Sequence, residues 1–165
     1  ISGVYLSWNR VSGADKYYIY RKEGNATSWT RIAVTSKTYY TDTTAKSGKV
    51  YTYTIKSYNS SVTSGYNSYG WKTYYLNSPK LNSATSYPGG ITVRWQKVTG
   101  ATWYSVYRKE GTGSWVRIGT TTGNGSVSFT DTTAVVGKRY TYTVRACYGS
   151  YISSFYTGVS CPSNY

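Results

Sequence analysis

Few side chains in this sequence are suited to acid–base, nucleophilic or metal chemistry. The chain has no histidine, which is the commonest general base and a frequent metal ligand. Cys147 and Cys161 therefore lack the partner that usually generates a reactive thiolate. The side-chain carboxylates are only five: Asp15, Glu23, Asp42, Glu110 and Asp131. This inventory predicts no enzymatic activity, no cofactor and no bound metal, and it favours a binding or structural protein.

The charge of the chain is strongly unbalanced. Nineteen lysine and arginine residues stand against five acidic residues, which gives a formal net charge of +14. Such a balance favours an anionic partner, and an anionic polysaccharide or wall polymer is the one expected. A charge that only keeps the protein soluble is the alternative. Nucleic acid is not expected, because no nucleic-acid-binding motif occurs, and no run approaches the roughly 20 apolar residues of a membrane span.

The same sequence pattern occurs twice along the chain. Residues 8–22 and 95–109 share the pattern Trp-x-x-Val-x-Gly-Ala-x-x-Tyr-x-x-Tyr-Arg-Lys, and shorter matches follow at nearly the same spacing. A period of this length indicates tandem domains rather than a short solenoid repeat. We therefore predict two domains, 1–76 and 77–165.

The elements that carry these patterns are predicted to be β-strands. Short alternating runs rich in Tyr, Thr, Val and Ile are separated by Gly, Asn and Ser, which is typical of an all-β sandwich. In the second copy, strands are predicted near 79–85, 90–96, 102–109, 115–120, 126–130, 138–147 and 155–161. In the first copy, they are predicted near 3–9, 15–22, 29–34, 38–41, 49–58 and 69–76. The first copy therefore lacks its N-terminal strand.

Two pairs of aromatic residues are predicted to organise the cores. Trp8 and Trp95 alternate in phase with apolar residues, so both are predicted to be buried between two sheets. Tyr51 and Tyr140 each follow a Gly-Lys-x turn that leads into a long strand. This position resembles a tyrosine corner, in which the hydroxyl bonds to backbone a few residues upstream.

These motifs resemble the fibronectin type III family. The pattern Trp-x-x-Val-x-Gly-Ala…Tyr-x-Val-Tyr-Arg-Lys, followed by Tyr-x-Tyr-x-Val-x-Ala, is similar to tandem modules of Gram-positive bacterial surface and secreted proteins. The resemblance covers essentially the whole chain and implies an all-β fold of two tandem immunoglobulin-like (fibronectin type III) β-sandwiches. It also implies an extracellular or bacterial cell-surface location and a non-catalytic role as spacer and adhesion surface of a larger protein. A carbohydrate-binding module for anionic cell-wall or host glycans, and a filament subunit assembled by strand complementation, are the alternatives.

The resemblance implies a first candidate surface at one pole of the second domain. The loop that ends at Trp103 is expected to share this pole with the loop before the last strand, which carries Tyr148, Tyr151, Ile152 and Phe155. An exposed apolar patch of this kind tends to mark an interaction site. The alternative is that these side chains pack against each other or against a neighbouring domain.

A second candidate surface is a sheet face. Tyr20 and Lys22 are predicted to point outward because Tyr17 and Ile19, which alternate with them, are predicted to be buried. Arg145, on the strand after the second tyrosine corner, is predicted to point the same way. Aromatic rings interleaved with cations suit a carbohydrate or an anionic ligand. An ordinary solvated sheet face is the alternative.

The missing first strand generates a further expectation. Without it, the strand around Val4 to Trp8 would expose an edge that is able to recruit another strand. The sequence allows two explanations. Either the chain is truncated, or a neighbouring subunit supplies the strand, with residues 161–165 as the candidate donor.

The two cysteines are predicted to remain unpaired, and a longer loop or a bulge at Gly158 that brings them together is the alternative. A turn near residues 151–152 would place Cys147 opposite Tyr156 and Cys161 opposite Tyr142. The two thiols would then lie about 16 Å apart at the usual strand rise. A disulfide requires Cα atoms within about 7 Å of each other.

Overall fold

β-Strands are the only regular secondary structure among residues 2–165, which the computed structural model describes. The chain divides into two compact units, one up to Tyr75 and the other spanning Leu76–Tyr165. We call them unit 1 and unit 2, and their boundary lies one residue before the predicted one. The alternating Tyr, Thr, Val and Ile runs account for this all-β structure, because such residues suit a pleated, half-buried surface.

Two sheets form unit 1. Its described strands are β1 (Val4–Ser7), β2 (Lys16–Glu23), β3 (Thr30–Thr35), β4 (Tyr39–Asp42), β5 (Lys49–Asn59), β6 (Val62–Thr63) and β7 (Trp71–Tyr75). β1 pairs with β4 in one sheet. In the other sheet, β5 lies between β2 and the shorter strands β6 and β7, and β3 pairs with the outer edge of β2.

Unit 2 repeats this arrangement with one more strand. Its strands are β8 (Leu81–Tyr87), β9 (Gly90–Trp95), β10 (Trp103–Glu110), β11 (Val116–Thr121), β12 (Ser128–Asp131), β13 (Arg139–Tyr148), β14 (Tyr151–Ile152) and β15 (Val159–Pro162). The smaller sheet has the order β12-β9-β8, and β8 has no counterpart among residues 2–75. The prediction that the first sandwich lacks its N-terminal strand is therefore confirmed for the described residues.

Alternation along the strands builds the two cores. Tyr17 and Ile19 on β2 are buried, as predicted. Trp95 is 1% exposed and packs edge-to-face on Tyr104, with 5.4 Å between the ring centroids. Trp8 also lies on the core side, where it packs edge-to-face on Tyr17 with 5.4 Å between the ring centroids. It is less buried than Trp95, because no described strand of unit 1 covers it in the way that β8 covers Trp95.

Both predicted tyrosine corners are present. The Lys46 N–H donates to the Tyr51 hydroxyl oxygen at 3.0 Å, and the Val135 N–H donates to the Tyr140 hydroxyl oxygen at 3.2 Å. Both tyrosines are buried at the start of a long strand. Each corner therefore fixes the turn that precedes β5 or β13.

A buried carboxylate joins the two sheets of unit 2. Asp131 ends β12 in the smaller sheet and is 2% exposed. Its Oδ2 accepts hydrogen bonds from Arg108 Nη1 at 2.7 Å and from the Tyr142 hydroxyl at 2.8 Å, and both donors belong to the larger sheet. Its Oδ1 accepts from the Thr133 N–H at 3.0 Å and from the Thr133 hydroxyl at 2.7 Å. Oδ2 therefore joins the two sheets, and Oδ1 holds the turn that follows β12.

Unit 1 contains the same network around Asp42. The partners are Arg21 at 2.7 Å, the Tyr53 hydroxyl at 2.8 Å and Thr44. Burial alone would raise the pKa of Asp42, but the hydrogen bonds from Thr44, Tyr53 and Arg21 outweigh it and hold this pKa below its ordinary value. The pKa of Asp131 is lowered for the same reasons. Neither carboxylate was singled out by the sequence, which showed only that the two are repeat equivalents.

The C-terminal residues belong to unit 2 and are not free to leave it. Val159–Pro162 form β15 on β13, and Ser163 is buried with its N–H bonded to the Lys138 carbonyl oxygen at 2.8 Å. The expectation that residues 161–165 act as a donor strand is therefore wrong. Pairing within unit 2 already satisfies the backbone of this segment.

Both cysteines are buried free thiols, as predicted, but their predicted neighbours were wrong. Cys147 lies opposite Ile152, and Cys161 lies opposite Tyr140. The difference arises because the chain reverses at residues 149–150, directly after β13, and then runs as an extended segment before β15 begins.

We expect Asp131→Asn to lower the free energy of unfolding of unit 2 by about 3 kcal/mol, because Arg108 would keep a poorly solvated charge without its partner. This is the low end of the usual range, since the Arg108 side chain is 22% exposed. Denaturant unfolding of the whole chain, followed by amide signals of unit 2, measures the loss. Glu110→Gln is the control, because it removes a solvent-exposed ion pair to Lys138 and should cost less than about 1 kcal/mol. Equal losses in the two variants would refute a special role for Asp131.

Acid should weaken both units through the same two carboxylates. A folded-state pKa below the ordinary value means that the unfolded chain binds protons more readily, so the stabilisation is complete above the unfolded pKa of about 3.9. It is lost as pH falls through the lowered folded-state pKa. Unfolding free energies measured from pH 7 downward should therefore decline below about pH 4. The decline for unit 2 should be smaller in Asp131→Asn, and an unchanged slope would argue against this assignment.

Candidate functional site

The first predicted surface is divided by the structure into separate parts. Trp103 begins β10 and lies directly across from Cys147, which in turn lies across from Ile152 on β14. Side chains that are opposite each other in neighbouring strands share one face of the sheet. Trp103 and Ile152 therefore flank Cys147, whose side chain is fully buried. This burial raises the pKa of the Cys147 thiol to about 11.

Tyr148 and Tyr151 occupy the tip of the same hairpin. They are cross-strand partners on β13 and β14 and lie on the face opposite that of Cys147. Both rings are exposed to solvent. The structure therefore separates them from the row formed by Trp103, Cys147 and Ile152.

Phe155 contacts the sheet face rather than the hairpin. Its ring lies edge-to-face with Tyr107 at 5.0 Å and is stacked on Trp115 at 5.9 Å with an interplanar angle of 17°. The guanidinium carbon of Arg145 lies 4.7 Å from the centre of the Phe155 ring. The structure thus joins two predicted site residues, Phe155 and Arg145, that the sequence had assigned to different surfaces.

These contacts form an alternating row on unit 2. Lys109 places its ammonium nitrogen 5.0 Å from the centre of the Trp115 ring. Trp115 stacks on Phe155, and Phe155 carries Arg145 on its ring. We call Lys109, Trp115, Phe155 and Arg145 the cation–aromatic row of unit 2. Each cation is attracted to the negative face of the ring beneath it.

Unit 1 has an equivalent row. Lys22 Nζ lies 4.8 Å from the Trp29 ring centre, Trp29 lies 5.9 Å from Tyr66, and Lys56 Nζ lies 4.6 Å from the Tyr66 ring centre. Lys56 also lies 5.8 Å from Tyr20. Lys22, Trp29, Tyr66 and Lys56 are the cation–aromatic row of unit 1. The predicted residues Tyr20 and Lys22 therefore lie beside and within this row.

The backbone explains why the rows form. The Thr54 hydroxyl donates to the Asn67 carbonyl oxygen, and the Thr143 hydroxyl donates to the Tyr156 carbonyl oxygen, each at 3.0 Å. These bonds pin the segment before the last strand across the outer face of the larger sheet. Both threonines are therefore buried, although they lie on the outer face of the sheet.

Each tryptophan of a row is seated on a glycine. A Cβ atom at Gly70 would lie 2.9 Å from Cη2 of Trp29, and a Cβ atom at Gly158 would lie 3.0 Å from Cη2 of Trp115. The same Cβ atoms would lie 2.6 Å from the Tyr53 carbonyl oxygen and 2.8 Å from the Tyr142 carbonyl oxygen, so a larger residue would clash with the sheet backbone as well as with the indole. Glycine therefore lets the segment lie close to both the strand and the ring.

Sequence reasoning missed the centre of the rows. Trp29 and Trp115 recur in both copies, but neither is among the predicted site residues. Their ring partners, Tyr66 and Phe155, lie in segments of different length and sequence that cannot be aligned by pattern. The signal in the sequence was the Trp-x-Arg-Ile motif, which recurs at residues 29–32 and 115–118.

The remaining polar groups show no convergence on a reaction centre. Glu23 pairs with Lys49 at 3.0 Å, and Asp15 accepts a hydrogen bond from the Ser60 N–H at 3.0 Å. Residues 2–165 contain no group of three or more potential metal ligands. Within the same range, none of the secondary structure is a helix long and apolar enough to cross a lipid bilayer.

Solved structures with the same fold are tandem fibronectin type III domains. A two-domain fibronectin type III segment of chicken tenascin matches with a TM-score of 0.51 at 18% identity, over 98% of this chain and 94% of that one. The FN1–FN3 domains of chicken CNTN1 match with a TM-score of 0.49 at 14% identity, over 98% of this chain and 60% of that one. No protein-family model and no curated protein matches the chain. The fold is therefore that of two tandem fibronectin type III β-sandwiches.

Cysteine labelling tests the arrangement around Trp103. In the native protein, we expect both thiols to resist alkylation, because burial raises the pKa of each. Trp103→Ala should accelerate alkylation of Cys147, since one of its two flanking side chains is removed, and should leave Cys161 unchanged. Mass spectrometry after timed labelling distinguishes the two sites. If Cys147 stays as protected as in the unaltered protein, Trp103 does not shield it.

Proposed function

We propose that this chain is a non-catalytic spacer and interaction module of a larger extracellular protein, of the bacterial surface or secreted kind. Two tandem β-sandwiches of the fibronectin type III fold support a spacer role, since such a fold is rigid and hosts many binding functions. The observation that carries the interaction role is the repeated cation–aromatic row. A partly exposed arrangement of this chemistry, built twice from different ring partners, is more than the fold requires.

The rows suit an anionic ligand. Each ring holds a long, flexible cation in a defined place, which reduces the side-chain entropy that binding would otherwise cost. Phe155 and Tyr66 keep exposed ring surface beside these cations. The net charge of +14 adds a general attraction for polyanions.

An anionic polysaccharide of a cell wall or host surface is the ligand class that these groups favour. Carboxylate, sulfate or phosphate groups would pair with Lys22, Lys56, Lys109 and Arg145. The apolar faces of sugar rings would contact the exposed parts of Tyr66 and Phe155, because aromatic rings offer large apolar surface at a small entropic cost. An adhesion role follows from such binding if the parent protein is held at a surface.

Binding to immobilised anionic polysaccharides, measured over a range of salt concentrations, tests this proposal. Affinity should fall as salt screens the charges. The variant Lys22→Gln, Lys56→Gln, Lys109→Gln and Arg145→Gln should bind roughly tenfold more weakly or worse, since each exposed pair contributes about 0.2–1 kcal/mol. A neutral polysaccharide should bind weakly to both proteins.

The matched control removes the same charge elsewhere. Arg10→Gln, Lys80→Gln, Arg94→Gln and Lys97→Gln alter four exposed cations outside the rows. This variant should keep most of the affinity. Equal losses in the two variants would show that bulk charge alone drives binding and would refute the role of the rows.

A further inference from the structure

The outer face of the larger sheet of unit 1 carries another series of cations and rings beside the cation–aromatic row of unit 1. The guanidinium carbon of Arg31 lies 5.1 Å from the centre of the Tyr18 ring. The centroids of the Tyr18 and Tyr58 rings lie 5.5 Å apart. Lys16 Nζ lies 4.6 Å from the centre of the Tyr58 ring. We call Arg31, Tyr18, Tyr58 and Lys16 the second row of unit 1.

Strand register joins the two rows of unit 1 into one surface. Lys16 lies directly across from Tyr58, and Tyr18 lies directly across from Lys56, which belongs to the cation–aromatic row of unit 1. Residues that are opposite each other in neighbouring strands, or two apart along one strand, share a face of the sheet. Lys22 follows Lys16 by six residues on β2, so the joined rows extend over about 20 Å at the usual strand rise.

Unit 2 lacks the side chains that build the second row. Trp103, Ser105 and Cys147 occupy the positions at which unit 1 has the lysine and the two tyrosines of this row. Ser105 and Cys147 are buried and offer no ring to a cation. Arg117, the counterpart of Arg31, is exposed and has a serine in place of the tyrosine that carries Arg31. The two copies of the domain therefore diverge at this row.

Strand register places five cations on this face of unit 1. Four belong to the two rows, and the fifth is Lys72, which is exposed and lies across from Thr52. In unit 2, Ser160 occupies the position of Lys72, and Trp103 occupies that of Lys16. The matching face of unit 2 therefore has three cations, which are Lys109, Arg117 and Arg145.

The carboxylates of residues 2–75 all lie away from this face. Asp42 is buried between the two sheets. Glu23 ends β2 and pairs with Lys49 at 3.0 Å. Asp15 precedes β2, and its Oδ2 accepts a hydrogen bond from the Ser60 N–H at 3.0 Å. The ion pairs within residues 2–165 use none of the five cations, which are therefore available to an external anion.

We propose that this face of unit 1 is the principal binding surface for a linear anionic polysaccharide, an inference that rests on the proposed function. The cations are held on rings along the sheet, so one polymer segment with repeated anionic groups contacts several of them at once. Each later contact is then intramolecular, which strengthens binding without any new kind of interaction. A single anionic sugar reaches too few of the cations to gain this advantage. Unit 2 binds the same polymer more weakly, because it lacks the second row.

Calorimetric titration of the 165-residue protein with a short dextran sulfate, and with neutral dextran as the blank, tests this inference. Lys16→Gln together with Arg31→Gln should weaken binding about fivefold, because two charge contacts at the second row are lost. The matched control in the same unit is Arg10→Gln together with Lys37→Gln. Both of these cations are exposed and lie outside the larger sheet, so this variant should bind within about twofold of the unaltered protein.

Two further variants separate position from charge. Lys109→Gln together with Arg145→Gln removes the same charge from unit 2 and should weaken binding less than the change at Lys16 and Arg31. Tyr18→Ser leaves the charge unchanged and introduces the residue that unit 2 has at this position. It should weaken binding about two- to fivefold, because Arg31 loses the ring that holds it. Denaturant unfolding of each variant checks that the fold is retained.

The outcomes distinguish this inference from the proposed function. Equal losses in the variants of unit 1 and unit 2, or unchanged binding by Tyr18→Ser, would overturn the inference and leave the proposed function intact. Absence of any salt-sensitive binding to dextran sulfate would overturn both. Glucose 6-sulfate at the same concentration of sulfate groups should not displace the polymer. Displacement would show that a single cation is sufficient and would refute the extended surface.

Discussion

In each sandwich, one buried carboxylate receives hydrogen bonds from the opposite sheet, and the rest of the unit depends on this contact. Asp42 and Asp131 each end a strand of the smaller sheet. Each carboxylate accepts hydrogen bonds from an arginine and a tyrosine hydroxyl of the larger sheet. A buried charge is costly unless it is fully paired, so the network favours the registration of the two sheets that keeps these hydrogen bonds. The tyrosine corner lies next to it, with Arg108 over the Tyr140 ring at 4.4 Å. The buried ion pair and the tyrosine corner therefore lie side by side.

The outer face of the larger sheet depends on that registration. Once β5 and β13 are positioned, Thr54 and Thr143 pin the segment that leads to the last strand, and this segment brings Tyr66 or Phe155 onto the tryptophan. The cations then find rings at 4.6–5.0 Å, as in Lys56 over Tyr66 and Lys109 over Trp115. The two cation–aromatic rows thus rest on partly buried hydrogen bonds.

The two units differ most where unit 1 lacks a strand. Unit 2 shows the closed form of the sandwich, in which β8 covers Trp95 and Val98. The described part of unit 1 has the same buried carboxylate, tyrosine corner and cation–aromatic row. The part of the core nearest the open edge is exposed, and the part nearest Asp42 is not.

The sequence alone determined the architecture. Period-two alternation, turn residues and the duplicated motif predicted two all-β domains, the missing strand and both tyrosine corners, because these features depend on local pattern and on residues a few positions apart. The buried positions of Tyr17 and Ile19 followed from the same alternation. The same alternation predicted the outward directions of Tyr20, Lys22 and Arg145.

Only the tertiary structure decided which side chains meet. Phe155 was assigned to a pole and Arg145 to a sheet face, yet the two are in contact, because a threonine bond to a distant carbonyl redirects the segment between them. Contacts of this kind depend on how separate elements pack in space, and no local pattern encodes that packing.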